Sequence, residues 1–160
     1  MSEFYYADSS ALIKRHIPET GSSWVKQEFS QSSGNNVITS KLSIAEVLSG
    51  LNRRKREASI SATDYAKFSK DFTAVSRFQY RMMDLTDAVL LEAQRLPETH
   101  PLRAGDAIQL ASALLANTQL QSANLPALIF LASEARLLSA ANSEGLQTSE
   151  GLQTDDPQNH

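Results

Sequence analysis

The sequence predicts one α/β domain with a mainly parallel central sheet. Short apolar runs alternate along the chain with longer segments in which apolar residues recur at helical spacing. One run, at residues 127–132, is continuously apolar, as expected for a strand covered on both faces of a parallel sheet. Because parallel strands need crossover connections between them, this alternation predicts βαβ units with helices on both faces.

The N-terminal segment begins this alternation. An aromatic run at residues 4–7 predicts a strand, and the pattern over 9–16 predicts a helix that Pro18 should interrupt. Apolar residues then recur at helical spacing from Trp24 to Phe29 and predict a second helix. Asparagine, serine and glycine residues follow, and they indicate a turn.

The middle of the chain continues with a strand and two helices. The strand is predicted over 37–39. Residues 42–56 carry apolar side chains at positions 44, 47, 48 and 51, which form one stripe of a 3.6-residue period. A further helix is predicted over 61–78.

The C-terminal half supplies the rest of the sheet and its cover. A strand is predicted over 80–85 and a helix over 86–96, which ends before Pro97. A helix rich in small residues follows over 106–120. After the buried strand at 127–132, the pattern returns to helix over 133–142.

Length and composition favour a single folding unit. The chain has 160 residues, of which 41% are hydrophobic, and lacks an internal linker. The hexapeptide Ser-Glu-Gly-Leu-Gln-Thr occurs twice in tandem, at 143–148 and 149–154. We expect the domain to span residues 1–148 and residues 149–160 to be a disordered tail.

Composition also excludes several classes of protein. The absence of cysteine removes disulfide frameworks, thiolate metal sites and thiol nucleophiles. No apolar stretch approaches the roughly 18 residues of a membrane span, so we expect a soluble, cytoplasmic protein. The net charge of −3 is not typical of a nucleic-acid-binding domain, unless several acids are gathered in one pocket.

Four carboxylates occupy positions where a parallel sheet places its ligands. Asp8 and Glu134 follow the first and last predicted strands, Glu46 lies early in the helix after the second strand, and Asp106 opens the helix rich in small residues. Ligands of such sheets bind outside the carboxyl ends of the strands. If those ends converge, the four acids share one cleft.

A cleft of this composition favours a hard cation. Neighbouring carboxylates raise one another's pKa values, and a bound cation removes that conflict. Oxygen ligands without His or Cys favour Mg²⁺ or Mn²⁺, which can activate water for phosphodiester hydrolysis. Each acid also has an ordinary alternative as a helix cap, and residues 43–46 match a capping box.

Two basic features remain open between functional and structural roles. Arg103, three residues before Asp106, can bind a phosphate or pair with a neighbouring acid. The run at residues 53–56, Arg-Arg-Lys-Arg, can contact RNA phosphates, although cations at a helix C-terminus also offset its dipole while staying in water. The second role is the more common one for such a run.

Four segments resemble the PIN-domain family and its VapC-type toxins, and the resemblance covers nearly the whole chain. Residues 6–14, Tyr-Ala-Asp-Ser-Ser-Ala-Leu-Ile-Lys, are similar to the family's opening strand and turn, and residues 43–47 to its second acidic segment. Residues 102–113, Leu-Arg-Ala-Gly-Asp-Ala-Ile-Gln-Leu-Ala-Ser-Ala, are the strongest match. Residues 130–138 resemble the last strand and helix, with Glu134 where the family usually carries Asp.

The resemblance implies a three-layer α/β/α sandwich and a metal-dependent endoribonuclease acting on RNA. It implies Asp8 and Asp106 as direct metal ligands, with Glu46 and Glu134 completing the catalytic pocket and Ser10 assisting by hydrogen bonding. It also implies a small antitoxin protein as partner, and a homodimer.

Two other functions are compatible with parts of this sequence. A catalytically weak PIN-like module would bind a cation or a partner in the acidic pocket without cleaving RNA, and Glu134 and the acidic composition favour it. An aspartyl-phosphate phosphotransferase would use Asp8, but such enzymes usually carry a second Asp two residues later, where this chain has Ser10.

Overall fold

A five-stranded, fully parallel sheet forms the centre of the computed structural model, which describes residues 2–154. Its strands are β1 (Phe4–Ala7), β2 (Asn36–Ser40), β3 (Tyr80–Met83), β4 (Ile129–Leu131) and β5 (Gln147–Thr148). The helices are α1 (Ser9–Ile13), α2 (Ser22–Glu28), α3 (Leu42–Arg56), α4 (Ala62–Gln79), α5 (Asp87–Arg95), α6 (Ala104–Ser122) and α7 (Ala135–Ser143).

The strand order is β3-β2-β1-β4-β5, so the first strand lies in the middle of the sheet. The chain builds one half outward from β1 through β2 to β3, and then returns to add β4 and β5 on the other side. β1 pairs with both β2 and β4 in parallel register. The point where the order reverses, between β1 and β4, is where open α/β sheets bind their ligands.

Two apolar cores cover the two faces of the sheet. Along β1, Phe4 and Tyr6 point into a core shared with α5, α6 and α7, whereas Tyr5 and Ala7 point into a core shared with α1, α2, α3 and α4. This alternation follows from the two-residue repeat of a strand. The result confirms the predicted α/β/α sandwich with a parallel central sheet.

The predicted elements match the observed ones in order and differ mainly at their ends. The helix predicted over 9–16 ends at Ile13, and residues 14–16 continue as hydrogen-bonded turns. The strand predicted over 80–85 ends at Met83. The two-residue strand β5 was not predicted, because so short a segment shows no periodicity.

Helix α6 sets the position of the strongest motif. It runs from Ala104 to Ser122 and leads into β4, which starts at the amino-terminal edge of the sheet. The helix must therefore begin near the opposite edge, where the carboxyl ends of the strands lie. Asp106, in its first turn, is brought to that edge.

The second copy of the hexapeptide packs against the domain. Leu152 is 2% exposed in the core of the α1–α4 face, and the backbone amide of Gly21 donates to the Thr154 carbonyl over 3.0 Å. A Cβ atom at Gly151 would lie 2.2 Å from the Trp24 ring, so only glycine fits there. The tail predicted to be disordered from residue 149 is thus folded through 154, and residues 155–160 lie outside the described residues.

Within residues 2–154, no helix combines the length and the apolar character that crossing a membrane requires. The longest helix, α6, owes its buried side mainly to alanines that pack on the sheet.

Replacing Leu152 by alanine should destabilise the domain by about 2–4 kcal/mol, because a buried side chain leaves a cavity under α2. Chemical denaturation of the full chain measures the loss. The control is the neighbouring exposed residue, Gln153. Its replacement by alanine should leave the unfolding midpoint unchanged. Equal midpoints for the two variants would show that the segment does not pack as described.

Candidate active site

The four predicted carboxylates lie on the elements that meet at the carboxyl edge of the sheet. Asp8 directly follows β1 and precedes α1, Glu46 lies on α3, Asp106 on α6, and Glu134 between β4 and α7. Two of these carboxyls have a raised pKa. Burial is the main cause in both, the charges of Glu46 and Asp106 add to the rise for Asp8, and the charge of Glu134 adds to it for Asp106.

Asp8 is the buried centre of this group, with 6% of its surface exposed. Its Oδ1 atom accepts hydrogen bonds from the Ser10 hydroxyl at 2.6 Å and from the backbone amide of Ala11 at 3.0 Å. Loss of hydration on burial raises the pKa of Asp8 to about 7; these bonds oppose the rise, and Glu46 and Asp106 add to it. Asp8 thus caps α1, which is the ordinary role considered for it from the sequence. It is also a buried carboxyl whose charged form is disfavoured.

Ser10 connects the two central strands. Its hydroxyl donates to Asp8 and accepts the backbone amide of Ser133, just after β4, at 3.0 Å. The loop after β4, which carries Glu134, is thereby tied to the Asp8 carboxylate. Ser10 lies at the site as predicted, and its bonds are those of a positioning residue.

Glu46 is held by a buried amide. Gln109 on α6, which is 2% exposed, donates from Nε2 to Glu46 Oε1 at 2.6 Å and to the Ser43 hydroxyl at 2.9 Å. Its Oε1 atom accepts the Tyr6 hydroxyl at 2.7 Å. The capping box suggested by residues 43–46 does not form, because α3 begins at Leu42 and Glu46 lies beyond its first turn.

Gly105 allows α6 to approach this carboxylate closely. A Cβ atom at Gly105 would lie 3.1 Å from Glu46 Oε2, within the distance at which a neighbour has to shift. Gly105 therefore determines how closely α6 approaches Glu46.

Asp106 and Arg103 lie together at the start of α6. Partial burial and the charge of Glu134 raise the pKa of Asp106, while the charge of Arg103, a hydrogen bond from its backbone and the charge of Arg136 lower it. The backbone bond is the one expected of an acid in the first turn, so a capping contribution is present here too. The Arg103 side chain is exposed and can therefore reach a phosphate.

Glu134 differs from the other three acids in its exposure. About half of its side-chain surface faces water, and its Oε1 atom lies 3.7 Å from Arg136 Nε. It stands at the N-cap position of α7 but makes no capping hydrogen bond with its side chain. Glu134 is therefore at the solvent-exposed rim of the site.

A cleft opens beside the acids, between α1 and α3. We call it the α1–α3 cleft, and its volume is about 880 Å³. Ser10, Glu46 and Ser133 line it at the site, and Lys14, Arg53 and Arg54 line it further along. A polymer chain that crosses the site can continue into this cleft.

The donor set fits a hard cation. Asp8 is buried among acids, and within residues 2–154 no Lys, Arg or His forms an ion pair with it. In the same part of the chain, no three His, Asp or Glu side chains come close enough to form a complete ligand cage. Mg²⁺ needs no such cage, since it usually takes one or two carboxylates and keeps several waters.

Gln109 and Ser133 are the site residues that sequence reasoning missed. Gln109 lies three residues after Asp106 and hence near it on the helix, a spacing that is visible in the sequence. Its partners Tyr6, Ser43 and Glu46 are not visible there, because they come from other elements. Ser133 contributes only its backbone amide, which has no side-chain signature.

The buried charge predicts an unusual pH profile for the metal-free protein. The folded pKa of Asp8 is about 7 and its ordinary value 3.8, so ionisation favours the unfolded chain progressively from pH 4 to 7. Asp8→Asn, which still caps α1, should therefore be more stable than the wild type by about 1–3 kcal/mol at pH 8 in EDTA and similar to it below pH 4. Denaturation across pH measures this, and a wild type as stable as the variant at pH 8 would contradict the buried charge.

Loss of the Gln109 amide should weaken metal binding. Gln109→Leu frees Glu46 and removes one hydrogen-bond partner of the buried Tyr6 hydroxyl, which should cost about 1–3 kcal/mol of stability and lower Mn²⁺ affinity. Tyr6→Phe is the control, because it removes the hydroxyl but leaves the bond from Gln109 to Glu46 intact. Calorimetric titration with Mn²⁺ should show reduced affinity only for Gln109→Leu; equal affinities would give Gln109 a purely structural role.

Comparison with known proteins agrees with this architecture. Two curated relatives are Ribonuclease VapC45 from Mycobacterium tuberculosis (strain CDC 1551 / Oshkosh) and Ribonuclease VapC49 from Mycobacterium tuberculosis (strain ATCC 25618 / H37Rv). Each is 29% identical over 143 residues, which cover 88% of this chain and 90% of the relative. The family model of the PIN domain matches residues 5–124, well over half of the chain, and includes Asp8, Glu46 and Asp106. The chain therefore belongs to the PIN-domain family.

Proposed function

We propose that the protein is a metal-dependent endoribonuclease that hydrolyses RNA phosphodiester bonds. The observation that carries the proposal is the buried Asp8 carboxylate, surrounded by acids and lacking a basic partner within residues 2–154, at the switch point of the sheet. Such a group is compensated by a cation. Membership of the PIN-domain family and relatives named ribonucleases support RNA as the substrate.

The proposed roles divide the four acids into two pairs. Asp8 and Asp106 hold Mg²⁺ or Mn²⁺ directly, while Glu46 and Glu134 complete the catalytic pocket. When bound, the metal lowers the pKa of a water and offsets charge that builds on the phosphate. No protein nucleophile is then required.

Ser10 and Arg103 assist the four acids. Ser10 fixes the Asp8 carboxylate through its 2.6 Å hydrogen bond to Oδ1, which leaves Oδ2 for a cation. Arg103 is exposed at the start of α6 and contacts the phosphate of the bound strand. Its proposed role is substrate binding.

We further propose that the protein is the toxin of a toxin–antitoxin pair. The two relatives carry VapC names, and the motifs of this chain resemble VapC-type toxins. A small antitoxin protein would be its partner, and two copies would form a homodimer. Acting on RNA, the toxin would work in the cytoplasm.

A catalytically weak binding module is the second candidate. Glu134 is exposed and faces Arg136, and it replaces the shorter Asp with a side chain that reaches one methylene further. If Glu134 does not complete the site, the pocket binds a cation without efficient cleavage. Metal binding without cleavage by the wild type distinguishes this function from the proposed one.

Cleavage should require Asp106 and a divalent metal. Wild-type protein, incubated with transfer RNA and single-stranded oligonucleotides, should cut in Mg²⁺ or Mn²⁺ and not in EDTA. Asp106→Asn should lower the rate at least about 100-fold, because the metal loses a charged ligand. Gel mapping of end-labelled products gives the rate and the cut sites.

Asp64 supplies a matched control for this substitution. It occupies the third position of α4, as Asp106 does in α6, but lies outside the site. Asp64→Asn should cut like the wild type. Metal-independent cleavage, or equal rates for the two variants, would refute the proposed mechanism.

A further inference from the structure

The charges around the α1–α3 cleft are segregated. Its end at the site carries one carboxylate, Glu46, and no Lys or Arg, whereas its far end carries Lys14, Arg53 and Arg54 with a single carboxylate, Glu19. We infer that this far end binds the phosphate backbone of a single-stranded RNA, beyond the phosphate that is cleaved. The inference rests on the proposed function and names how the substrate reaches the same site.

Glu19 is shared between two of the cations. Its Oε1 atom lies 3.1 Å from Lys14 Nζ, and its Oε2 atom lies 3.6 Å from Arg54 Nη2. Lys14 also donates to the Thr20 carbonyl, and Arg54 donates to the Gly50 carbonyl. One acid cannot neutralise both, so these anchored side chains leave a fixed positive charge in the cleft wall.

Arg53 is the exposed cation at this end. Within residues 2–154, its side chain makes no hydrogen bond or ion pair, although it lines the cleft. The guanidinium group therefore keeps its donors for a ligand, and it binds phosphate oxygens in a bidentate geometry. Arg53 thus has a role in phosphate binding, in addition to the general interaction of residues 53–56 with the dipole of α3.

The register of α3 places Arg53 away from the reacting bond. Glu46 and Arg53 are seven residues apart, which is about two helical turns and roughly 10 Å along one face. A phosphate at Arg53 is thus not the one held by the metal site. An RNA that spans both positions has its phosphate backbone bound on one side of the cleavage site. This contact depends on charge and does not read the bases.

An acidic segment of a protein partner is the other ligand that such charge attracts. RNA is favoured because the cleft reaches Glu46 at the proposed catalytic site and carries Ser9, Ser49 and Thr20 along its wall. Hydroxyls and guanidinium groups are the usual contacts of a phosphate backbone. Acidic peptide binding is therefore treated as an outcome of the test.

Arg56 gives a matched control. It lies on the same helix, is exposed and does not line the cleft. Arg53→Gln and Arg56→Gln are each introduced into the Asp106→Asn chain, and binding of a fluorescein-labelled single-stranded RNA of mixed sequence is measured in EDTA over a salt series. The same substitutions in the active chain give kcat and KM, and thermal melting verifies folding.

Arg53→Gln should weaken RNA binding about three- to tenfold and lower the slope of log Kd against log salt by about 0.7, the value for one contact to a single strand. In the active chain it should raise KM with kcat unchanged. Arg56→Gln should change none of these. Equal Kd and slope for the two variants would overturn the inference, as would Arg53-dependent binding of an oligoglutamate peptide without Arg53-dependent binding of RNA.

These outcomes are separate from those of the proposed function. If the wild type cuts no RNA, the ribonuclease proposal fails, yet the binding series in EDTA still decides the role of Arg53. If the wild type cuts RNA but the Arg53→Gln and Arg56→Gln variants have the same KM, the proposed function stands and the cleft inference fails.

Discussion

The burial of Asp8 among other acids is the constraint on which the rest of the site depends. The carboxylate at the end of the central strand is 6% exposed and has lost most of its hydration, and within residues 2–154 no Lys, Arg or His forms an ion pair with it. Its charge is tolerable only when neutralised by a proton or a cation. The fold accepts this cost because β1, in the middle of the sheet, positions Asp8 more rigidly than an edge or a loop would.

A buried polar network holds the neighbouring acid against that repulsion. Tyr6, Gln109 and Ser43 link β1, α6 and α3, and Thr39 extends the network from Ser43 to the Ala7 carbonyl. Every member has a partner, which is the condition under which a buried network adds rigidity rather than strain. This network therefore keeps Glu46 near Asp8. It uses Glu46 Oε1, so that Glu46 Oε2 is left for a cation.

Segregation of charge explains how a chain with net charge −3 can act on a polyanion. In the proposed function the acids at the sheet edge hold a cation, and the cations at the far end of the α1–α3 cleft are only partly neutralised by Glu19. A polyanion responds to this local distribution rather than to the total. The total charge is therefore a poor indication of function for a chain whose charges are segregated in this way.

The sequence by itself determined the alternation of strands and helices, the layers of the sandwich and the family, because periodicity and short motifs are local properties. It also predicted that Asp8, Glu46 and Asp106 lie at the carboxyl edge of the sheet, since the carboxyl ends of parallel strands lie side by side there. Only the tertiary structure decided that Gln109 holds Glu46 across 63 residues, that Glu134 stays exposed and that Leu152 is buried. These outcomes depend on contacts between distant elements, and identical hexapeptides pack into opposite cores for that reason.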